Sequence, residues 1–150
     1  MLGRLKRLFG RESAPPPGFV AADDEMRSTA QTLSSLVEAQ ALIGGLDTDP
    51  SNWVRDERAA VLGYIDGYLS RWYIGMKSPE KAMLAPILCA QGIFKEARTP
   101  EQIFQEHAYF SSTQYEPFDR ARRVGWTDFE DQMGPQRRAA LGLVRLLRGS

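Results

Sequence analysis

At three places the chain sets a short capping side chain, Asp, Ser or Thr, directly before a proline: Asp49-Pro50, Ser78-Pro79 and Thr99-Pro100. Proline holds φ near the helical value and has no N–H to leave unsatisfied in a first turn, so each pair is a helix-start signal. At Thr99 the signal is completed by Glu101 and by Gln102, which forms a capping box three residues on. TDFE repeats the box at Thr127. No stretch alternates polar and apolar residues between hairpin turns, and no internal repeat is found. These features predict an all-α protein, a compact irregular bundle of five or six helices.

The helices can be placed coarsely. The first is expected over about 23–43, opened by Asp23, Asp24 and Glu25 and closed by Gly44 and Gly45, with Met26, Ala30, Leu33 and Val37 at helical spacing. Asp49 or Ser51 should cap a long helix ending near 74. A third helix begins at Ser78 and Pro79, with Pro86 inside it expected to kink it. Thr99 opens the fourth. SSTQYEPFDRARRVGW reads as a loop plus a short helix near 117–124, followed by a new start at Thr127. PQRRAALGLVRLLRGS is expected to dock as a final helix, with Leu141, Val144 and Leu147 three apart and arginines on the other side.

The 150 residues suit one domain burying about 70% of its unfolded surface. The division expected is a short basic amphipathic segment at 1–10, a Pro-rich linker at 11–18 and a single helical domain at 19–150. In the first segment Leu2, Leu5, Leu8 and Phe9 fall along one side and Arg4, Lys6 and Arg7 mostly elsewhere, the pattern of a surface for membrane or partner docking. The single cysteine, Cys89, rules out an internal disulfide and reads as a small buried hydrophobe. The longest apolar run, 82–90, is far short of a membrane span, and no apolar segment follows the basic N-terminus. The expected location is the cytoplasm, with room for peripheral membrane attachment.

The chain carries 19 basic and 19 acidic side chains, unevenly placed. Residues 1–12 hold Arg4, Lys6, Arg7 and Arg11 against Glu12, and residues 135–150 hold Arg137, Arg138, Arg145 and Arg148 with no acid. The middle is therefore net acidic, which argues against a nucleic-acid-binding body but leaves basic ends for an anionic surface.

Motifs for chemistry are sparse. His107 is the only histidine, and its spacing with Ile103 and Phe110 reads as a partly buried, satisfied side chain. Paired ExxH motifs, calcium loops and glycine-rich phosphate loops are absent, and DTDPSN lacks the glycine and terminal glutamate of a calcium loop. No metal or cofactor is expected, and the pattern leans away from an enzyme.

The sharper clue is AVLGYIDGYLSRW at 60–72, where Gly63 and Gly67 sit four apart around Asp66. Each glycine costs about 1 kcal/mol against alanine in a helix. A rotation of about 100° per residue puts Val54, Val61, Tyr64, Ile65, Tyr68, Leu69 and Trp72 on a core face. Ala59, Gly63, Asp66 and Ser70 fall opposite, with Gly67 at their flank. This small-residue groove would let a second helix or a partner segment approach the backbone, with Asp66 placed to pair with an arginine. Tyr109, Tyr115 and Phe118 add an aromatic patch of the kind that carries interface energy.

The leading expectation is thus a non-enzymatic cytoplasmic module, an adaptor, inhibitor or regulator, binding a protein partner through Gly63, Asp66, Gly67, Ser70, Tyr109, Tyr115 and Phe118. One alternative is a membrane-peripheral protein docking through its basic ends. Another is a small-molecule-binding or catalytic helical domain with a pocket near Asp66 or His107. Self-association is compatible with each.

Overall fold

The computed structural model describes residues 23–135 and 137–149, so the expectations for Leu2, Arg4, Leu5, Lys6, Arg7, Leu8, Phe9 and the linker lie outside the described residues. Among the described residues there are six α-helices and no strands: α1 Asp24–Ile43, α2 Arg55–Gly75, α3 Pro79–Phe94, α4 Pro100–Ser112, α5 Glu116–Met133 and α6 Gly142–Leu147. Short 3₁₀ turns at Pro50–Asn52 and Lys95–Ala97 precede α2 and α4. No helix among them is long and apolar enough to cross a membrane.

Local signals account for most boundaries. Asp23 Oδ1 accepts from the Met26 N–H at 2.7 Å, and the Gly44 N–H returns to Gln40 O at 2.8 Å, closing α1 before Gly45 turns at φ +97°. At α4 the Thr99 box is complete: Gln102 N–H donates to Thr99 Oγ1 at 3.2 Å and Thr99 N–H to Gln102 Oε1 at 2.9 Å.

Four expectations require correction. Asp49 caps the 3₁₀ turn, not the long helix, which begins later with Glu57 accepting from the Val54 N–H at 2.9 Å. Ser78 stands at the N-cap of α3 without a side-chain capping bond. The loop and separate helices expected over 111–133 are largely one helix, and Thr127 lies in its interior. The final helix is six residues, beginning at Gly142 and not near Pro135.

The merged α5 explains the two glycines. Every residue from Ala59 to Ser70 on α2 is buried, so this helix is covered on both faces. The aromatic and aliphatic face packs into the main core, with Tyr64, Tyr73, Ile65 and Leu69 fully enclosed. The opposite face, the small-residue groove open to a second helix or a partner segment, is covered by α5. A Cβ on Gly63 would stand 2.2 Å from Phe118 O, one on Gly67 1.9 Å from Arg122 O, and one on Gly125 2.1 Å from Tyr64 O. Both helices therefore contribute glycines to one backbone-to-backbone crossing, which ordinary side chains would hold apart.

A buried polar cluster fastens the C-terminal segment beside this crossing. Tyr64 Oη donates to Asp128 Oδ2 at 2.6 Å and accepts from Gln40 Nε2 at 3.1 Å. Asp128 Oδ2 also accepts from the Gly142 N–H at 2.9 Å, and Gln40 Oε1 from the Leu143 and Val144 N–H groups at 3.1 and 3.3 Å. The first turn of α6 is thus capped by side chains from α1 and α5. Burial and the Asp128 carboxylate push the Tyr64 phenol well above its ordinary pKa, keeping it a proton donor.

Candidate functional site

The close crossing brings α5 side chains within reach of Asp66, one turn after Gly63 and directly before Gly67. Asp66 Oδ2 accepts from Arg122 Nε at 2.7 Å, and Asp66 Oδ1 lies 2.9 Å from His107 Nε2 on α4. The α4 helix is anchored to α2 by a two-point ion pair, Arg58 Nε to Glu106 Oε1 at 2.9 Å and Arg58 Nη2 to Glu106 Oε2 at 3.1 Å. Arg58 Nη1 also donates to Trp53 O at 2.7 Å. That anchor sits one residue before His107 and fixes where its ring can reach.

Asp66 is the hub of the arrangement, its side chain only 12% exposed while Arg122 keeps 46%. Burial pushes its pKa upward, but hydrogen bonds and charge from His107 and then Arg122 outweigh burial and hold it below the ordinary 3.8. An ionised carboxylate only accepts, so Nε2 of His107 carries the proton toward Asp66. The second ring nitrogen, Nδ1, has no hydrogen-bond partner among the described residues. The ring also packs edge-on against Phe118, centroids 5.4 Å apart. Arg122 is held only through Nε, leaving the two terminal nitrogens of its fork unused by Asp66.

These groups open on one cleft of about 700 Å³ between α2, α3, α4 and α5. Asp66, Ser70, His107, Ser111, Gln114, Asp119, Arg122 and Arg123 supply its polar wall, and Ala82, Met83, Ile87, Phe104 and Phe118 its apolar wall. Met83 is 79% exposed and marks the rim.

The residues expected to bind a partner separate into three groups. Asp66 and Ser70 line this cleft together with His107. Gly63 and Gly67 do not present a groove, because the chain's own α5 fills it. The aromatic patch is also dispersed. Phe118 is 1% exposed in the core, and Tyr115 stacks on Phe110 and donates to Asp56. Tyr109 alone of the three is an exposed aromatic, with Arg55 over its ring at 5.9 Å. Arg122 was not singled out by sequence, although its charge among the acids of that segment was visible. Cys89 is fully buried, and burial pushes its thiol up to about 12. Among the described residues no group of three or more His, Cys, Asp or Glu side chains could hold a metal ion.

Comparison with protein-family models, with curated proteins and with solved structures finds no match. The class that the fold and site define is, among the described residues, a bundle of six helices carrying a polar, carboxylate-centred cleft.

Proposed function

We propose that this protein is a ligand-binding helical domain, and that its ligand is a small organic acid with a short apolar tail. The observation that carries the reading is the single buried carboxylate, Asp66, holding both His107 and Arg122 at the wall of a cleft of about 700 Å³. Pairing with Asp66 fixes the guanidinium in advance, so less side-chain entropy is lost when it binds. Its terminal nitrogens suit a carboxylate in the two-point geometry that arginine favours. Ser111 and Ser70 offer hydroxyls nearby, while Met83, Ile87 and Phe104 provide the surface for an apolar tail.

The test is a panel of short- and medium-chain carboxylic acids, followed by calorimetric titration or by thermal shift. Arg122→Gln should weaken binding more than tenfold. Met83 is a second, independent probe because its exposure makes it neutral for folding. Met83→Glu should weaken an acid and Met83→Lys strengthen it, each by up to about fivefold. An affinity indifferent to all three substitutions, in folded variants, would sink the proposal.

The protein-interaction reading keeps one specific support. Val54 and Tyr109 are 60% and 49% exposed, and Arg55, the first residue of α2, holds its guanidinium over that ring. Tyrosine and arginine around an apolar contact are common interface anchors. Retention of a host protein by the wild type and equally by Tyr109→Glu would count against that patch.

A further inference from the structure

The Asp66 cleft holds a second side chain that can carry positive charge, His107, and its Nδ1 has no hydrogen-bond partner among the described residues. We infer, resting on the reading of this cleft as an organic-acid site, that His107 is a second ligand-binding residue there: protonated, it donates from Nδ1 to the carboxylate, so the cleft takes a monovalent anion together with one proton.

Asp66 sets the geometry by dividing its two oxygens, Oδ2 to Arg122 Nε at 2.7 Å and Oδ1 to His107 Nε2 at 2.9 Å. Each partner is thereby held at one nitrogen and keeps its others, Nη1 and Nη2 of the arginine and Nδ1 of the histidine, for a ligand. Both side chains line the cleft, with 20% of the His107 side chain exposed. The edge-on contact with Phe118 and the Arg58–Glu106 pair one residue earlier hold the ring in place.

In the neutral ring Nδ1 carries a lone pair, which repels a carboxylate oxygen; protonation turns it into a donor and adds charge. Ionised Asp66 and Arg122 sum to zero, and a protonated His107 makes the trio +1, which one monovalent carboxylate neutralises. The other charges around the ring are guanidiniums and carboxylates. α5 supplies Arg123 and Asp119, which offset each other, and on α4 Glu106 is engaged by Arg58, with Arg98 at 4.0 Å. α3 gives the wall only Ala82, Met83 and Ile87. His107 is the one histidine of the chain, so a change of charge between about pH 5 and 8 is assignable to it. Proton and anion favour each other's binding equally, so affinity is highest where the imidazole is charged and falls as pH rises through its titration.

The test is calorimetric titration of the full chain with butyrate and with hexanoate from pH 5.5 to 7.5, at ionic strength fixed with sodium chloride. At least one probe should bind wild type roughly fivefold tighter at pH 5.5 than at pH 7.5. Net proton uptake should appear as a binding enthalpy that varies with the ionisation enthalpy of the buffer. His107→Gln keeps an amide donor for Asp66 but has no titrating nitrogen; folded by circular dichroism, it should lose both the pH dependence and the uptake. A readout that needs no variant is the proton NMR titration of the single imidazole, which should move to higher pH when the probe is added. Equal affinity across the interval, pH dependence retained in folded His107→Gln, or an imidazole titration unmoved by a bound probe would overturn the assignment and leave the organic-acid site standing. Binding of neither probe at any pH would overturn both.

Discussion

Replacing Gly67 by alanine tests the backbone crossing on which the site depends. The added Cβ would meet Arg122 O at 1.9 Å, Arg122 C at 2.8 Å and Arg122 Cα at 3.0 Å. Every one of these is backbone, so rotation of a side chain cannot relieve the clash. The helices must separate locally by roughly an ångström or more, and a gap of that size forfeits up to about half of each dispersion well. If about 40 atom pairs of ~0.15 kcal/mol each lose half their energy, the cost is about 3 kcal/mol. Alanine returns about 1 kcal/mol through its helix propensity, leaving about 2 kcal/mol of net destabilisation. For a chain of this size that is a fall in melting temperature of about 4–8 °C. Gly75→Ala is the control, because its Cβ would meet only the movable Arg71 Nη1 at 3.1 Å. Thermal and urea denaturation followed by circular dichroism should show Gly67→Ala lowered and Gly75→Ala unchanged or raised. Because one displacement accommodates two methyl groups, Gly63→Ala with Gly67→Ala should cost less than the sum of the singles. A Gly67→Ala protein melting at or above wild type would refute the crossing.

Asp66→Asn should cost about 2 kcal/mol at neutral pH, a value discounted from the buried-pair range because Arg122 is nearly half exposed. Since the folded-state pKa of Asp66 is depressed, its contribution is complete above the unfolded value near 3.8 and is lost as pH falls through the folded value. The difference in urea midpoint between wild type and Asp66→Asn should therefore shrink as pH falls from about 5 toward 3; a difference that grows over that interval would contradict the assignment. Gln40→Met removes the acceptor for two α6 N–H groups and the donor to Tyr64, and should cost about 2 kcal/mol. The same change should speed tryptic cleavage at Arg145 and Arg148 relative to wild type, and equal cleavage rates would show that the Gln40 cap does not hold the segment.

The sequence was most legible where the determinants are local. Thr99 with Gln102, and Asp23 with Met26, complete their caps within three residues, so those boundaries could be read directly. α5 could not be read in the same way, although its buried positions, Phe118, Ala121, Gly125 and Asp128, keep a helical spacing. Two of those four are a glycine and an aspartate, so an apolar pattern hides the stripe, and the Thr127 box supplies a competing start that tertiary packing overrides. The same blindness left the occupant of the Gly63 face open between a helix of the chain and a partner segment, since a face built from glycine and aspartate scores as polar whatever covers it. α6 was misplaced because its caps come from Gln40 and Asp128, far away along the chain. For the site, Asp66 and His107 stood out individually, and an arginine partner for Asp66 was expected; only the fold could name Arg122 and bring all three to one wall.

The glycine crossing also bears on how the chain reaches its native state. Helical proteins usually fold fast because their contacts are local. Here the tightest seam joins partners far apart in sequence: Asp66 and Arg122 are 56 residues apart, and Tyr64 and Asp128 are 64. The intervening chain, which contains α3 and α4, must be gathered into a closed loop before the α2–α5 seam can form. α2 and α5 thus behave in this respect like paired strands of a sheet, with a seam that forms only after distant parts of the chain have met.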